Sequence, residues 1–434
     1  MIMMEMFSLL LMISKNIKLV LQNCLCILLI NYLMSMNNIW MENTNLYMYF
    51  YQDKYCSFLV LLNLWISMIL IMITKNKNFL IISLMILINM TFMSISMIFF
   101  YIWFEISLIP LFIMIFLLGK SKERTLSSMY MLMYTMLGSL PLFMTIFLFY
   151  KINNSIEWNF LILFNMENIN FIIYFNMIIA FLIKIPVFGF HIWLPKAHVE
   201  APVYGSMILA SIVLKMGMMG LMRMMMISLD SVKKFNMMIM NILILGTLMI
   251  SILCLMQSDM KSIVAYSSVV HMGIGTISIM TLYKWGYSGG MVMMIGHGLC
   301  SSAMFYLVNV FYSRSSTRII FLNKGNININ PSMVFLWFIA CIGNMGAPIS
   351  LNFFSELMMT NTIISWSKFM VLFLILINLF GSLFSMNLFM MTIHGNIFKK
   401  INSPIKMIEY YTLILHLVPL NLLSFYSWIW NINF

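Results

Sequence analysis

The run Phe171-Ile172-Ile173-Tyr174-Phe175-Asn176-Met177-Ile178-Ile179-Ala180-Phe181-Leu182-Ile183-Lys184-Ile185-Pro186-Val187-Phe188-Gly189 decides the fold. It begins as an apolar segment of the kind that crosses a bilayer, whose hydrocarbon core of about 30 Å takes about 20 helical residues. It then sets a lysine in the apolar stretch and, two residues later, a proline. Proline inside a helix removes a hydrogen bond and clashes with the preceding turn. Such a helix is expected to break near Pro186, beside an ionisable side chain. A second segment repeats the pattern: Gly343, Gly346 and Pro348 precede Asn352-Phe353-Phe354-Ser355-Glu356. Broken helices at matching places in two halves of a chain point to an inverted-repeat transporter with its ion path at mid-membrane.

The rest of the chain agrees with a membrane reading. Of 434 residues, 63% are hydrophobic and 8% charged, and the mean hydropathy is +0.99. A soluble surface needs about 25% charged residues, so soluble enzymes, nucleic-acid binders and disordered tails are excluded. Fourteen candidate spans lie near 1–14, 17–34, 55–74, 79–97, 99–119, 126–150, 171–195, 199–226, 236–256, 261–282, 286–312, 332–361, 366–394 and 409–430. All should be helical, because lipid cannot satisfy an open sheet edge. The expected fold is therefore an all-α polytopic membrane protein with discontinuous helices 7 and 12. Its organisation reads as 1–78 (helices 1–3), 79–226 (a first repeat, helices 4–8), 227–394 (a second repeat, helices 9–13) and 395–434 (helix 14).

Loop charges orient it. With this count the odd-numbered loops hold fifteen Lys and Arg and the even-numbered loops seven. Basic residues favour the side from which a membrane protein inserts, which puts both termini outside. The net charge of +12 is then a topology signal, not a sign of nucleic-acid binding. Met accounts for 52 residues and Lys outnumbers Arg 20 to 4. Together with scarce Ala, Gly and Pro, this suggests an AT-rich gene with extra Met codons, as in a mitochondrial genome. The N-terminal stretch, with Glu5 and no early Arg, reads as lacking a presequence.

Several ionisable groups stand where hydrocarbon is expected. Glu105, Lys184, Lys215 and Glu356 lie well inside apolar stretches, as do His271 and His297. An ionised side chain at mid-bilayer costs about 2.5–3.5 kcal/mol, so four cost roughly 10–14 kcal/mol. That is tolerable where the groups face the bundle interior, pair or meet water. Buried ion pairs and polar glue between helices are the bland alternative; two carboxylates, two amines and two imidazoles look more like a proton relay. The cluster from Phe190 to Pro202, with His191 and His198, is the most polar stretch near any span, and Pro195 is expected to interrupt the helix between its histidines. Gln257-Ser258-Asp259-Met260-Lys261-Ser262 reads as a capped loop with a local Asp259–Lys261 pair. The six cysteines are scattered without a Cys-x-x-Cys and read as packing residues. No phosphate-binding loop, dinucleotide fingerprint or metal motif is present, so no cofactor and no metal is expected on this chain.

His191-Ile192-Trp193-Leu194-Pro195-Lys196-Ala197-His198-Val199-Glu200-Ala201-Pro202, followed by Gly205-Ser206-Met207 and Leu214-Lys215-Met216-Gly217, resembles the signature of the antiporter-like membrane subunits of respiratory complex I, the NADH:ubiquinone oxidoreductase. So do Asp259-Met260-Lys261-Ser262-Ile263-Val264-Ala265-Tyr266-Ser267-Ser268 and His297-Gly298-Leu299-Cys300-Ser301-Ser302. The similarity runs from about residue 95 to 360. Glu356 stands where the family's subunits 2 and 5 usually carry Lys, and 434 residues leave no room for the lateral helix that subunit 5 adds.

The resemblance implies fourteen helices with two inverted five-helix repeats, in a membrane arm next to subunits 2 and 5. It implies redox-driven proton translocation across the mitochondrial inner membrane, with flavin, iron–sulfur clusters and ubiquinone elsewhere in the complex. By motif, Glu105 becomes the acidic partner of Lys184, Lys215 the central lysine, His297 a relay histidine and Glu356 the terminal proton carrier; His191 and His271 become polar links to water. Two other functions fit parts of the pattern: a self-contained cation/proton antiporter subunit, and a spacer that only transmits conformational change. A spacer could replace the charged set with Leu at lower cost.

Overall fold

The computed structural model describes residues 29, 45–47, 50–74, 78–119, 121–163, 169–395 and 404–425. The spans expected near 1–14 and 17–34 lie outside these, apart from Leu29. Two short strands, β1 (Asn45–Tyr47) and β2 (Phe50–Gln52), pair antiparallel in the expected loop 35–54. From there on the described chain is almost entirely helical.

Two compact units emerge. The first takes in the described chain up to Lys184 and the segment Ile212–Asp230. It contains α1 (Lys54–Ile73), α2 (Asn78–Phe92), α3 (Met97–Ile106), α4 (Leu108–Leu118), α5 (Arg124–Asn153), α6 (Trp158–Leu163), α7 (Phe171–Lys184) and α10 (Leu214–Ile227). The nearly unbroken apolar run 79–118 divides at Thr91-Phe92-Met93-Ser94, where serine and threonine offer the backbone local bonds that compete with helix. Ser96 then caps α3 by accepting the Phe99 N–H at 3.2 Å. Within the unit α7 packs on α5 and α10, and α2 on α1 and α3.

The second unit holds 185–211 and the described chain from Ser231. It contains α8 (Trp193–Glu200), α9 (Val203–Ile208), most of α11 (Leu229–Leu255), α12 (Met260–Met280), α13 (Lys284–Ser315), α14 (Pro331–Met345), α15 (Leu351–Trp366), α16 (Met370–Ile393) and α17 (Met407–Phe425). The apolar stretch of α13 is buried throughout and forms the centre against which α12, α15 and α17 pack; α16 and α17 expose most of theirs, as lipid-facing helices do.

Both expected breaks are present. α7 stops at Lys184, and Ile185–Ile192 runs in turns, with Gly189 at φ +93°, before α8 begins. Pro195 does not interrupt a helix, contrary to the sequence expectation. It sits in the first turn of α8, where a missing N–H costs nothing. At the second break α14 ends at Met345, and Gly346 adopts φ +67° with its N–H toward the Gly343 and Ile342 carbonyls. Gly346 is thus the stop, and Pro348 lies in the connecting loop. Proline alone would not have sufficed, because Pro141 and Pro419 sit inside the continuous α5 and α17.

Two features had no sequence signal. Leu209–Val213 forms a π-helical turn between α9 and α10, directly before Lys215. π-bulges inside α-helices are frequent at functional sites. The second is Ile349, at φ +78°, a conformation that a β-branched residue rarely adopts.

Candidate proton-transfer site

In the first unit, Lys184 ends α7 and is almost fully buried, at 1% exposure. Its Nζ donates to the Phe104 carbonyl at 3.2 Å and lies over the Phe104 ring, 3.2 Å from the centroid. Glu105, the next residue on α3, is close enough to act electrostatically on Lys184, and Ser139 of α5 also faces its carboxylate. The expected partnership is therefore through the field of the carboxylate. The direct contacts of the ammonium are to residue 104, whose carbonyl and ring face supply negative potential without a net charge. Lys215, on α10 just after the π turn, has no exposed surface and so faces protein, not lipid.

The second unit assembles three of the expected residues. The His271 ring on α12 lies 6.0 Å from the His297 ring on α13, centroid to centroid. His271 Nδ1 is 3.4 Å from Glu356 Oε1 on α15, within ion-pair reach but not aligned as a hydrogen bond. The order His297–His271–Glu356 makes His271 the middle group, a larger part than its motif implies. Gly346 creates the seat for the carboxylate: a Cβ at that position would collide with Glu356. His191 stands apart, in the turns after α7, its ring stacked on Phe188 at 5.7 Å and near Tyr266 at 6.3 Å. His198 stacks flat on Phe305 at 4.6 Å, which gives its ring a packing role.

Sequence reasoning missed the charges that hold these helices in place. Arg223 is buried near the end of α10. It donates to the Phe92 carbonyl at 2.8 Å and the Ser94 carbonyl at 3.2 Å, and lies 3.8 Å from Asp53. It thereby satisfies carbonyls left open where α2 ends. The flanking run Leu221-Met222-Arg223-Met224-Met225 was the available signal. Lys261 does not pair with Asp259 as expected; it reaches the Ala201 carbonyl at 3.2 Å, while Arg318 donates to the Val199 carbonyl at 2.8 Å. Both cations thus close the C-terminal end of α8, where helix carbonyls concentrate negative potential. Arg314 pairs with Glu409 and donates to the Pro404 carbonyl at 3.2 Å, tying α17 to α13.

Arg223→Met should destabilise the first unit by on the order of 3 kcal/mol, since charge-assisted bonds to buried carbonyls are lost together. Arg223→Lys should recover only part of it, because one ammonium cannot serve two carbonyls and a carboxylate as a planar fork does. The amount of assembled complex on native gels and its thermal denaturation report both.

The fold and the buried ionisable groups define a class. A family of transmembrane proteins shared by NADH:quinone oxidoreductases and Mrp antiporters matches residues 94–425. The chain belongs to this family and, within it, groups with NADH-ubiquinone oxidoreductase chain 4: it is 41% identical to that chain of Apis mellifera ligustica over 94% of its own length and 92% of the relative's. The fold is also that of a chain in respiratory complex I from Thermus thermophilus with bound NADH, with a TM-score of 0.86 at 18% identity, covering 94% of this chain and 92% of that one. A chain of the Mrp complex from Dietzia sp. DQ12-45-1b shares it with a TM-score of 0.79 at 13% identity, covering 87% and 75%.

Proposed function

We propose that this multi-pass membrane protein is a proton-translocating membrane-arm subunit of NADH:ubiquinone oxidoreductase, coupling electron transfer elsewhere in the complex to proton movement across the mitochondrial inner membrane. The observation that carries this reading is the series His297, His271 and Glu356 on three helices packed together, α12, α13 and α15. A carboxylate and two imidazoles at these separations can pass a proton directly or through one water. The first unit supplies Glu105, Lys184 and Lys215 as further carriers, and His191 is a polar link to water. The breaks after Lys184 and before Glu356 support two inverted repeats, helices 4–8 and 9–13, each with one discontinuous helix.

In physical terms the site is a set of coupled titrations. A buried ammonium holds its proton more firmly when a carboxylate is near and less firmly when it is not. Any motion that changes such a distance loads or unloads the carrier. The chain itself holds no redox centre in this reading; flavin, iron–sulfur clusters and ubiquinone belong to other subunits, and subunits 2 and 5 are its neighbours in the membrane arm. Mitochondrial genome encoding accords with the Met-rich, Arg-poor composition.

Purifying the native complex tests the assignment. This chain should co-purify with a quinone reductase, and the isolated chain should carry no stoichiometric flavin, iron or haem. Recovery with a cation/proton antiporter assembly lacking quinone reductase activity would establish the alternative.

A further inference from the structure

Ending α14 at Met345 leaves the last carbonyls of that helix without partners from a following turn. The backbone meets two of them, Gly346 N–H reaching the Gly343 carbonyl at 3.4 Å and Ala347 N–H the Ile342 carbonyl at 3.2 Å. The Gly343 carbonyl also receives a shorter bond, at 2.8 Å, from Asn352 Nδ2. Asn352 lies across the break, in the first turn of α15, and has no exposed surface. Only the NH2 of an amide can donate to a carbonyl, so the orientation of this side chain is fixed. Its Oδ1 therefore turns toward α13, where it lies against Gly296, the neighbour of His297; a Cβ at Gly296 would collide with it. One side chain thus touches the end of α14, the start of α15 and the close approach to α13.

Glu356 follows Asn352 by four residues, on the same face of α15. Its carboxylate rests on Gly346 and reaches His271. Ile349, in the loop between Gly346 and α15, sits at φ +78°, a conformation that costs a β-branched residue about 1–3 kcal/mol. We propose that Asn352 is a positioning residue of the proton path: the hydrogen bond from its side-chain NH2 to the Gly343 carbonyl fixes the spacing across the α14–α15 break and so keeps the Glu356 carboxylate within reach of His271. This rests on the relay proposed above.

The test uses the whole complex of a genetically tractable relative, with Asn352→Leu, Asn352→Asp, His271→Gln, Glu356→Gln and the double variant Asn352→Leu/His271→Gln at the equivalent positions. Leu removes both polar atoms at similar size. Asp keeps the shape but loses the donor, and it carries the test where the Leu variant does not assemble. Misplacing a reacting group by about 1 Å can cost up to about 100-fold, so the rate of proton uptake through this subunit should fall roughly 10- to 100-fold in the assembled Asn352 variants. The pH profile of coupled quinone reduction should also move. The double variant should be no worse than His271→Gln alone, because both changes disable one contact. Normal uptake and an unmoved pH profile in the Asn352 variants, or losses that multiply in the double variant, would overturn the inference while Glu356→Gln still stalled the path. Normal uptake in both Glu356→Gln and His271→Gln would instead remove the relay, and this role with it.

Discussion

Glu356→Gln should leave the complex assembled and stop proton uptake through this subunit. The carboxamide keeps the size and the planar shape, and Gly346 still leaves room for it. What goes is the one group of the His297–His271–Glu356 line that can cycle between an anion and a neutral acid. A positioned proton-transfer group contributes about 100-fold to 10,000-fold, so coupled uptake should drop by on the order of 100-fold. His271→Gln should give a loss of the same order, since His271 stands between the other two groups. His198→Gln is the control. That ring is stacked on Phe305 and lies outside the line, so its change should alter stability and leave the proton-to-electron ratio alone. Uptake measured with quinone reduction in reconstituted vesicles separates these outcomes. Equal uptake in Glu356→Gln and the unaltered complex would make the line a packing feature.

Much of this arrangement was legible in the sequence, because hydrocarbon makes charge and proline conspicuous. Lys184 and Pro186 stand out in an apolar run, and the helix does end there. The same logic located the second break among Gly343, Gly346 and Pro348, and the structure shows that the positive φ of Gly346 is what turns the chain. A proline reads as a breaker in any sequence; a glycine reads as one only when its φ is known. What stayed hidden was non-local. Nothing around Lys261 says that its ammonium goes to Ala201, sixty residues away, instead of to Asp259 two residues away. Hydrogen bonding to the orphan carbonyls at the end of α8 outcompetes a local pair, and those carbonyls exist only once the helix has formed. His271 illustrates the same limit. As a single histidine in an apolar helix it carries little information; its place between His297 and Glu356 appears only when α15 packs against the neighbouring α12 and α13.

Glu105→Gln and Lys184→Met should each cut proton uptake by roughly tenfold or more while the first unit stays packed. The geometry explains why they should act as one unit. The Lys184 ammonium sits on the carbonyl and the ring of Phe104, contacts that join α7 to α3. Those contacts hold the side chain in place but carry no net charge. Glu105 supplies the charge, from the adjacent residue and without a direct bond to the ammonium. A rotation of the Glu105 side chain can therefore change the attraction on the proton of Lys184 while its contacts to Phe104 stay in place. A tight ion pair would serve this purpose less well, because opening it would leave both charges buried and uncompensated, at a cost of about 3–5 kcal/mol. In Glu105→Gln the anchoring survives and the variable field is gone; in Lys184→Met the field survives and the carrier is gone. Each removes the same function, so the double variant should be no worse than the more damaging single one, a non-additivity that independent sites do not give. Phe104→Leu separates anchoring from field. It removes the ring but keeps the carbonyl and Glu105, so it should weaken uptake less than either charge change. Native gels establish assembly, and proton uptake measured against quinone reduction reads the coupling. Losses from Glu105→Gln and Lys184→Met that multiply in the double variant would mean that the two residues serve separate steps, and an assembled Glu105→Gln complex with a normal proton-to-electron ratio would reduce the pair to a structural contact between α3 and α7.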